Sequence, residues 1–257
     1  MAALYVHEAG DSGAPPIVFL HGGGVSGRMW QPQMAALTDF HCLAPDLPEH
    51  GQNSSAEPFT LSGAAAAVIN LIRESTPQQK AHIVGLSIGG AVGLEILRTA
   101  PEVVNRAVLS GPTPQLGRIL VAITDAINGP LLHLLPRKQL IGMTLKSLNV
   151  PDAFRPLMEA DLQQLTPELY RHINQATGAM LIPTQAVPPT LVVVGEKEPG
   201  VSRRHAQKLG REVPGVTARL VRGVGHAWNL EAPELFNATV RAWLTEASLP
   251  QPLLELK

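Results

Sequence analysis

A serine, a histidine and a carboxylate, far apart along the chain, carry its potential for chemistry. Ser87 lies inside Gly85-Leu86-Ser87-Ile88-Gly89, directly after the apolar run Ala81-His82-Ile83-Val84 and directly before the helix-like stretch 91–97. Strand, sharp turn, helix is the setting in which a G-x-S-x-G string marks a nucleophile. A serine forced into such a turn is strained and holds its hydroxyl out above the sheet edge. Glycines two residues to either side leave room there because they lack a Cβ. The helix start supplies backbone N–H groups and a positive partial charge where an oxyanion would form.

A serine hydroxyl is a poor nucleophile until a base takes its proton, and a base of near-neutral pKa points to histidine. Of nine histidines, His226 is singled out by position: Gly223-Val-Gly-His226-Ala-Trp-Asn-Leu-Glu-Ala-Pro233 reads as the loop between the last strand and the final helix. In a parallel sheet such loops share the edge that carries Ser87. His41 and His82 fall within strands, His7 near an N-terminal strand, His50 in the loop after Pro48, His133 and His172 in an insertion, and His205 on an exposed helix pattern. The base in turn needs an acceptor to orient its ring. The loop Gly195-Glu196-Lys197-Glu198-Pro199 follows a strand and offers two carboxylates. Glu198 is favoured over Glu196 because Pro199 holds the residue before it extended.

Gly22-Gly23-Gly24 after His21 can bring a backbone N–H close to a ligand, with Gly23 first and Gly24 next, and Ile88 offers a second amide just past the serine. No phosphate-cradling G-x-x-x-x-G-K-[ST] follows the first strand, and H-E-x-x-H and paired cysteines are absent from the chain. The expectation is chemistry without cofactor or metal.

The elements that must position these groups alternate from end to end. Strand-like segments at 16–20, 41–44, 81–84, 106–109, 190–194 and 217–221 are separated by helix-like segments near 30–37, 61–74, 202–211 and 233–244, with Thr60 as an N-cap. That is an α/β chain with a mostly parallel sheet flanked by helices. Between Pro112 and Pro189 the alternation stops, and helical patterns follow at 136–148 and 151–176 after an apolar stretch from Leu116 to Leu135. We read residues 1–112 and 189–257 as the core and 113–188 as a helical insertion laid across the strand ends. The tail Pro250–Lys257 reads as a loosely held end.

At 257 residues, 45% apolar, 16% charged and with a net charge of −1, the chain gives no electrostatic reason to bind nucleic acid or an anionic membrane. No run approaches the roughly 20 apolar residues of a membrane span, and the start lacks signal-peptide character, so a soluble, cytoplasmic protein is the expectation. The single cysteine, Cys42, reads as a buried strand position.

Four pieces, in order, resemble the α/β-hydrolase superfamily, on its serine-nucleophile, esterase-like branch with a helical cap: Phe19-Leu20-His21-Gly22-Gly23, Pro45-Asp46-Leu47-Pro48-Glu49-His50-Gly51, Gly85-Leu86-Ser87-Ile88-Gly89-Gly90, and Gly225-His226 with Glu231-Ala232-Pro233 behind it. The resemblance implies Ser87 as nucleophile, His226 as base, Glu198 as acid and the amides of Gly23 and Ile88 as the oxyanion hole. Two departures stand out: the family usually has aspartate where Glu198 stands, and Glu49 replaces a glycine common in the Asp46 turn, Asp46 itself reading as structural. Epoxide hydrolases and haloalkane dehalogenases look similar but carry aspartate at the position of Ser87.

The expected function is hydrolysis of a carboxylic ester or related acyl bond on a small or medium, largely apolar acyl substrate. Its pocket is expected between the sheet edge and the insertion, lined by Leu116, Ile119, Leu120, Ile123, Met143, Phe154 and Met158, with Gly24 and Trp228 beside them. Two rival readings belong to the same superfamily: a carbon–carbon hydrolase of a diketo acid, for which Arg118, Arg137 and Arg155 are available, and a slow-turnover ligand receptor.

Overall fold

The computed structural model describes residues 4–54, 57–114, 136–148 and 150–256. Its strands are β1 (Val6–Ala9), β2 (Pro16–Leu20), β3 (His41–Pro45), β4 (Ala81–Leu86), β5 (Val104–Ser110), β6 (Thr190–Gly195), β7 (Val216–Val221) and β8 (Leu253–Glu255). They form one sheet in the order β1-β3-β2-β4-β5-β6-β7-β8. The inner strands run parallel, and only β1 on β3 and β8 on β7 are antiparallel. This is the α/β-hydrolase fold class expected from the sequence.

The inner strands are apolar without alternation because both faces of the sheet are covered. Successive side chains still part to opposite sides. Val18 and Leu20 of β2 enter one core with Ile83, Leu109, Val192 and Val194. Ile17 and Phe19 enter the other with Val84, Val108, Leu191 and Val193. The helices α2 (Leu61–Ser75), α3 (Ile88–Thr99) and α7 (Gly200–Glu212) cover the first face, and α1 (Gln31–Ala36) and α9 (Pro233–Leu244) cover the second. Thr60 caps α2, its hydroxyl oxygen accepting from the Gly63 amide at 3.0 Å.

Between β5 and β6 lie α4 (Arg137–Ser147), α5 (Arg155–Leu162) and α6 (Pro167–Gly178). The helical pattern of 151–176 divides into two because Thr166 caps α6 and Pro167 opens it, which ends the preceding helix. Leu116, Ile119, Leu120 and Ile123 lie outside the described residues, as does Arg118.

Two expectations are corrected. The chain's end is not loose: β8 pairs with β7 over Leu253–Glu255, giving β7 a partner on its open side. His205 is buried rather than exposed, and its pKa is pushed down to about 4, first by burial and then by Lys208. Cys42 is buried in β3, and burial above all pushes its thiol up to about 12.

Chain order reverses beside β2, which has β3 on one side and β4 on the other. At such a switch point the loops leaving adjacent strand ends open a crevice. Here those loops are Gly22–Ser26 after β2 and the Ser87 turn after β4.

Candidate active site

Ser87 links β4 to α3 with φ 57° and ψ −115°, a left-handed conformation that is costly for any residue with a side chain. The flanking glycines are required by close approach. A methyl group on Gly89 would overlap the Leu20 carbonyl oxygen, and one on Gly85 would lie 2.6 Å from the Gly89 oxygen. The Ser87 amide donates to the Ser110 carbonyl at 2.9 Å, and the Ser87 carbonyl accepts from Thr113 N at 3.2 Å. The elbow is thus tied to the end of β5 on both sides.

His226 lies between β7 and α8 (Trp228–Glu231). Its Nδ1 is 2.8 Å from Glu198 Oε2, while Glu198 Oε1 accepts from the Gly195 amide at 2.9 Å. The Glu198 carboxylate is almost completely buried and the imidazole is a quarter exposed. Glu196 is exposed and accepts instead from Gly223 N at 2.9 Å. Between Glu198 and Glu196, only Glu198 meets the ring. Gly111 lies against both members of this pair: a methyl on it would be 2.8 Å from His226 Nδ1 and 3.0 Å from Glu198 Oε2. Since Gly111 follows Ser110, the serine turn and the imidazole share one support.

Gly23 faces Ile88, a methyl on it falling 3.8 Å from Ile88 Cγ2 and 3.2 Å from Ile173 Cδ1 of α6. The direction of its amide follows from His21. That ring is fully buried, its Nδ1–H donates to the Gly22 carbonyl at 2.8 Å, and its Nε2 accepts from Leu47 N at 2.9 Å. Burial lowers its pKa to about 4, keeping the neutral tautomer. In a trans peptide the carbonyl and the following N–H point opposite ways, so fixing the Gly22 carbonyl on His21 turns the Gly23 N–H away from that ring. Gly24 has φ 76° and lies against Leu162 and Leu165.

The other expected lining residues fare differently. Met158 is buried and Phe154 half-buried in the apolar cluster under the inserted helices. Met143 is 61% exposed, so its side chain stands largely in solvent and outside the apolar cluster. Trp228 is a core residue: its Nε1 donates to Ser110 Oγ at 2.7 Å and its ring meets Phe236 edge-on at 4.7 Å. The reason is tertiary packing, because its partners Ser110 and Phe236 lie on the core side of the loop.

Three carboxylates support the site from outside it, and of these the sequence reading assigns no role to Glu231. Glu231 accepts from Gly225 N at 2.8 Å and pairs with Lys197 at 3.2 Å, bracing the His226 loop. Asp46 accepts from Gly27 N and Gln52 N, both at 2.8 Å, the structural role expected of it. Glu49 has φ 66°, which explains why glycine suits that position, and its carboxylate accepts from Phe59 N at 2.7 Å and meets His172 Nδ1 at 2.9 Å. Among the described residues no group of three or more His, Cys, Asp or Glu could hold a metal ion. No helix there is long and apolar enough to cross a membrane.

A sequence model described as the alpha/beta hydrolase family matches residues 17–239. The chain belongs to that family. Within it, the chain is 27% identical over 263 residues to the Carboxylesterase YbfK of Bacillus subtilis, spanning 93% of this chain and 83% of that protein. Solved structures of the same fold include MenH from S. aureus, with a TM-score of 0.80 and 20% identity, covering 96% of this chain and 99% of that one. Another is the enol-lactonase from Burkholderia xenovorans, with a TM-score of 0.76 and 24% identity, covering 94% and 96%. At these identities the solved structures speak for the fold, and family membership with the hydrolytic relatives supports a hydrolase of the alpha/beta-hydrolase type.

Proposed function

We propose that this alpha/beta hydrolase is a serine hydrolase that cleaves a carboxylic ester through an acyl-enzyme. The observation that carries the reading is the Glu198 Oε2 to His226 Nδ1 contact of 2.8 Å, made by a carboxylate whose other oxygen is held by Gly195 N. A buried acceptor on Nδ1 fixes the tautomer and leaves Nε2 as the basic atom.

In this mechanism Ser87 Oγ attacks the ester carbonyl carbon while His226 Nε2 takes its proton. The carbonyl oxygen becomes an oxyanion held by the amides of Gly23 and Ile88. Collapse expels the alkoxide, which leaves as the alcohol with the proton from His226. Water then repeats the sequence against the acyl-enzyme, releasing the carboxylic acid and restoring Ser87. Each amide donor is worth about 10²–10³ in turnover.

For the substrate we propose a small or medium, largely apolar acyl group bound under the inserted helices acting as a cap over residues 113–188. Support comes from a cavity of about 350 Å³ lined by Leu140, Ile141, Leu162, Leu165, Pro167 and Tyr170, which shares Leu162 and Leu165 with the wall against Gly24. Of the arginines named for the diketo-acid reading, Arg118 lies outside the described residues, Arg137 stands at the wall of this cavity, and both described ones have partners. Arg137 donates to the carbonyls of Gln163 and Leu165, and Arg155 pairs with Asp152 at 2.8 Å.

The test is hydrolysis of a p-nitrophenyl ester together with fluorophosphonate labelling. Ser87→Ala is expected to lose both, and His226→Ala to lose nearly all turnover. Wild-type turnover in Ser87→Ala rejects the mechanism. A clear preference for charged over apolar acyl groups rejects the substrate class.

A further inference from the structure

The loop that carries Gly23 ends at Ser26, and the way Ser26 is held is not explained by its own element. It precedes the short 3-10 turn Gly27–Trp30, where a serine hydroxyl commonly accepts from an amide of the turn. Here it makes no such bond. Its hydroxyl instead donates to Asp161 Oδ2 at 2.6 Å, and its backbone N–H donates to the same oxygen at 2.9 Å. Asp161 belongs to α5 of the insertion, 135 residues further along. It is buried, and its ion-pair partner among the described residues, Arg28, is half out in solvent and 3.9 Å away. The next amide, Gly27 N, goes to Asp46 Oδ1 at 2.8 Å. Two consecutive amides at the loop's end are therefore taken by two buried carboxylates, one from the core and one from the inserted helices. At the loop's other end the Gly22 carbonyl is fixed by His21. Between these fixed ends stand Gly23, against Ile88 and Ile173, and Gly24, against Leu162, the residue beside Asp161.

We propose that Asp161 is a positioning residue for hydrolysis: by gripping Ser26 it sets the Gly22–Ser26 loop so that the Gly23 amide is aligned with the Ile88 amide. The inference rests on the reading of Gly23 as an oxyanion donor. A buried carboxylate is an expensive way to join a helix to a loop, because apolar packing does so without desolvating a charge. What the carboxylate adds is direction, since charge-assisted hydrogen bonds are short and hold their donors in place. Donors must lie within about 3 Å of the developing oxyanion, and a misplacement of about 1 Å can cost 10²-fold. The same bond ties that alignment to the seating of the inserted helices on the core.

The experiment compares Asp161→Leu, Asp161→Asn and Ser26→Ala with wild type. The readouts are kcat and KM for a p-nitrophenyl ester per fluorophosphonate-titrated site, the inhibition constant of an alkylboronic acid that forms a tetrahedral adduct on Ser87, and the melting temperature. Asp161→Leu is expected to lower kcat roughly 10–100-fold and weaken the boronic acid by a similar factor, with KM within about threefold. Asp161→Asn, which keeps an acceptor oxygen, is expected to stay within about threefold of wild type. Unchanged kcat per titrated site and unchanged boronic acid binding in Asp161→Leu, with only the melting temperature lowered, overturns the proposal. If Asp161→Leu does not fold, Ser26→Ala decides, because it removes the shorter of the two bonds to Asp161 and leaves the buried carboxylate a backbone donor that keeps the protein folded: a parallel fall in kcat and boronic acid affinity supports the proposal, and wild-type values for both overturn it. Wild-type protein that fluorophosphonate does not label overturns the serine mechanism and this proposal together, whereas unchanged kinetics in labelled Asp161→Leu overturns this proposal alone.

Discussion

Ser110 holds Ser87 from below, its carbonyl oxygen 2.9 Å from the Ser87 amide. The Ser110 hydroxyl meanwhile accepts from Trp228 Nε1 at 2.7 Å, two residues past His226. One residue at the end of β5 therefore joins the strained serine turn to the loop that carries the imidazole. The two groups come from segments about half the chain apart, and this shared support keeps them in register.

Gly111 tests that support directly. Its φ of 47° and its closeness to His226 leave no room for a methyl. Gly111→Ala is expected to displace the ring and lower kcat at least about 10²-fold, while circular dichroism still reports a folded protein. Near wild-type kcat in a folded Gly111→Ala protein contradicts the arrangement.

The two glutamates of the β6 loop separate by charge and placement. Glu198→Gln faces the Nδ1–H with an amide donor or flips the ring's tautomer, and the expected loss in kcat is about 10²–10⁴-fold. Glu198→Asp shortens the reach by one methylene and cannot span both Gly195 N and His226 at full strength, so a smaller loss of about tenfold is expected. Glu196→Gln is expected to be close to wild type, because its carboxylate meets only Gly223 N at an exposed site. Equal effects of the two glutamine variants on kcat would refute the assignment of Glu198.

Acid should destabilise the fold through buried imidazoles. Burial is the main cause that lowers His21 and His205 to about 4 and His50 to about 3. The unfolded chain protonates these groups near pH 6.5, so below that pH it holds more protons than the folded chain. Their contribution is complete above about pH 6.5 and is lost as pH falls toward 4, with a slope of about 1 kcal/mol per pH unit for each group. Urea unfolding at pH 7, 6 and 5 checks this, and His205→Gln, distant from Ser87 in the chain and on α7, should flatten the slope. A stability constant from pH 7 to pH 5 rules the account out.

Thr60→Ala removes the cap of α2, where the threonine oxygen accepts from Gly63 N. The expected cost is about 1 kcal/mol of unfolding free energy, with ester turnover per folded molecule unchanged. A change in kcat without a change in stability would show that α2 does more than pack.

By itself the sequence determined what short-range physics controls. The turn at Ser87 was legible because two glycines, an apolar strand and a helix pattern all lie within about a dozen residues, and each is demanded by local sterics at Gly85 and Gly89. Pro16–Leu20, Leu61–Ser75 under its Thr60 cap and Pro233–Leu244 under its own proline were legible for the same reason. Tertiary structure decided the rest. Glu196 and Glu198 look alike in one loop, and only the placement of His226 against that loop separates them. Trp228 reads as a site residue by proximity to His226, yet packing against Phe236 and Ser110 turns it inward. The pairing of β8 depends on an open edge of β7 that no local pattern announces. Asp161 has no motif, because its meaning lies in Ser26, 135 residues away. Burial likewise reverses the reading of His205, since a period of polar residues along a helix does not reveal which neighbour will cover it.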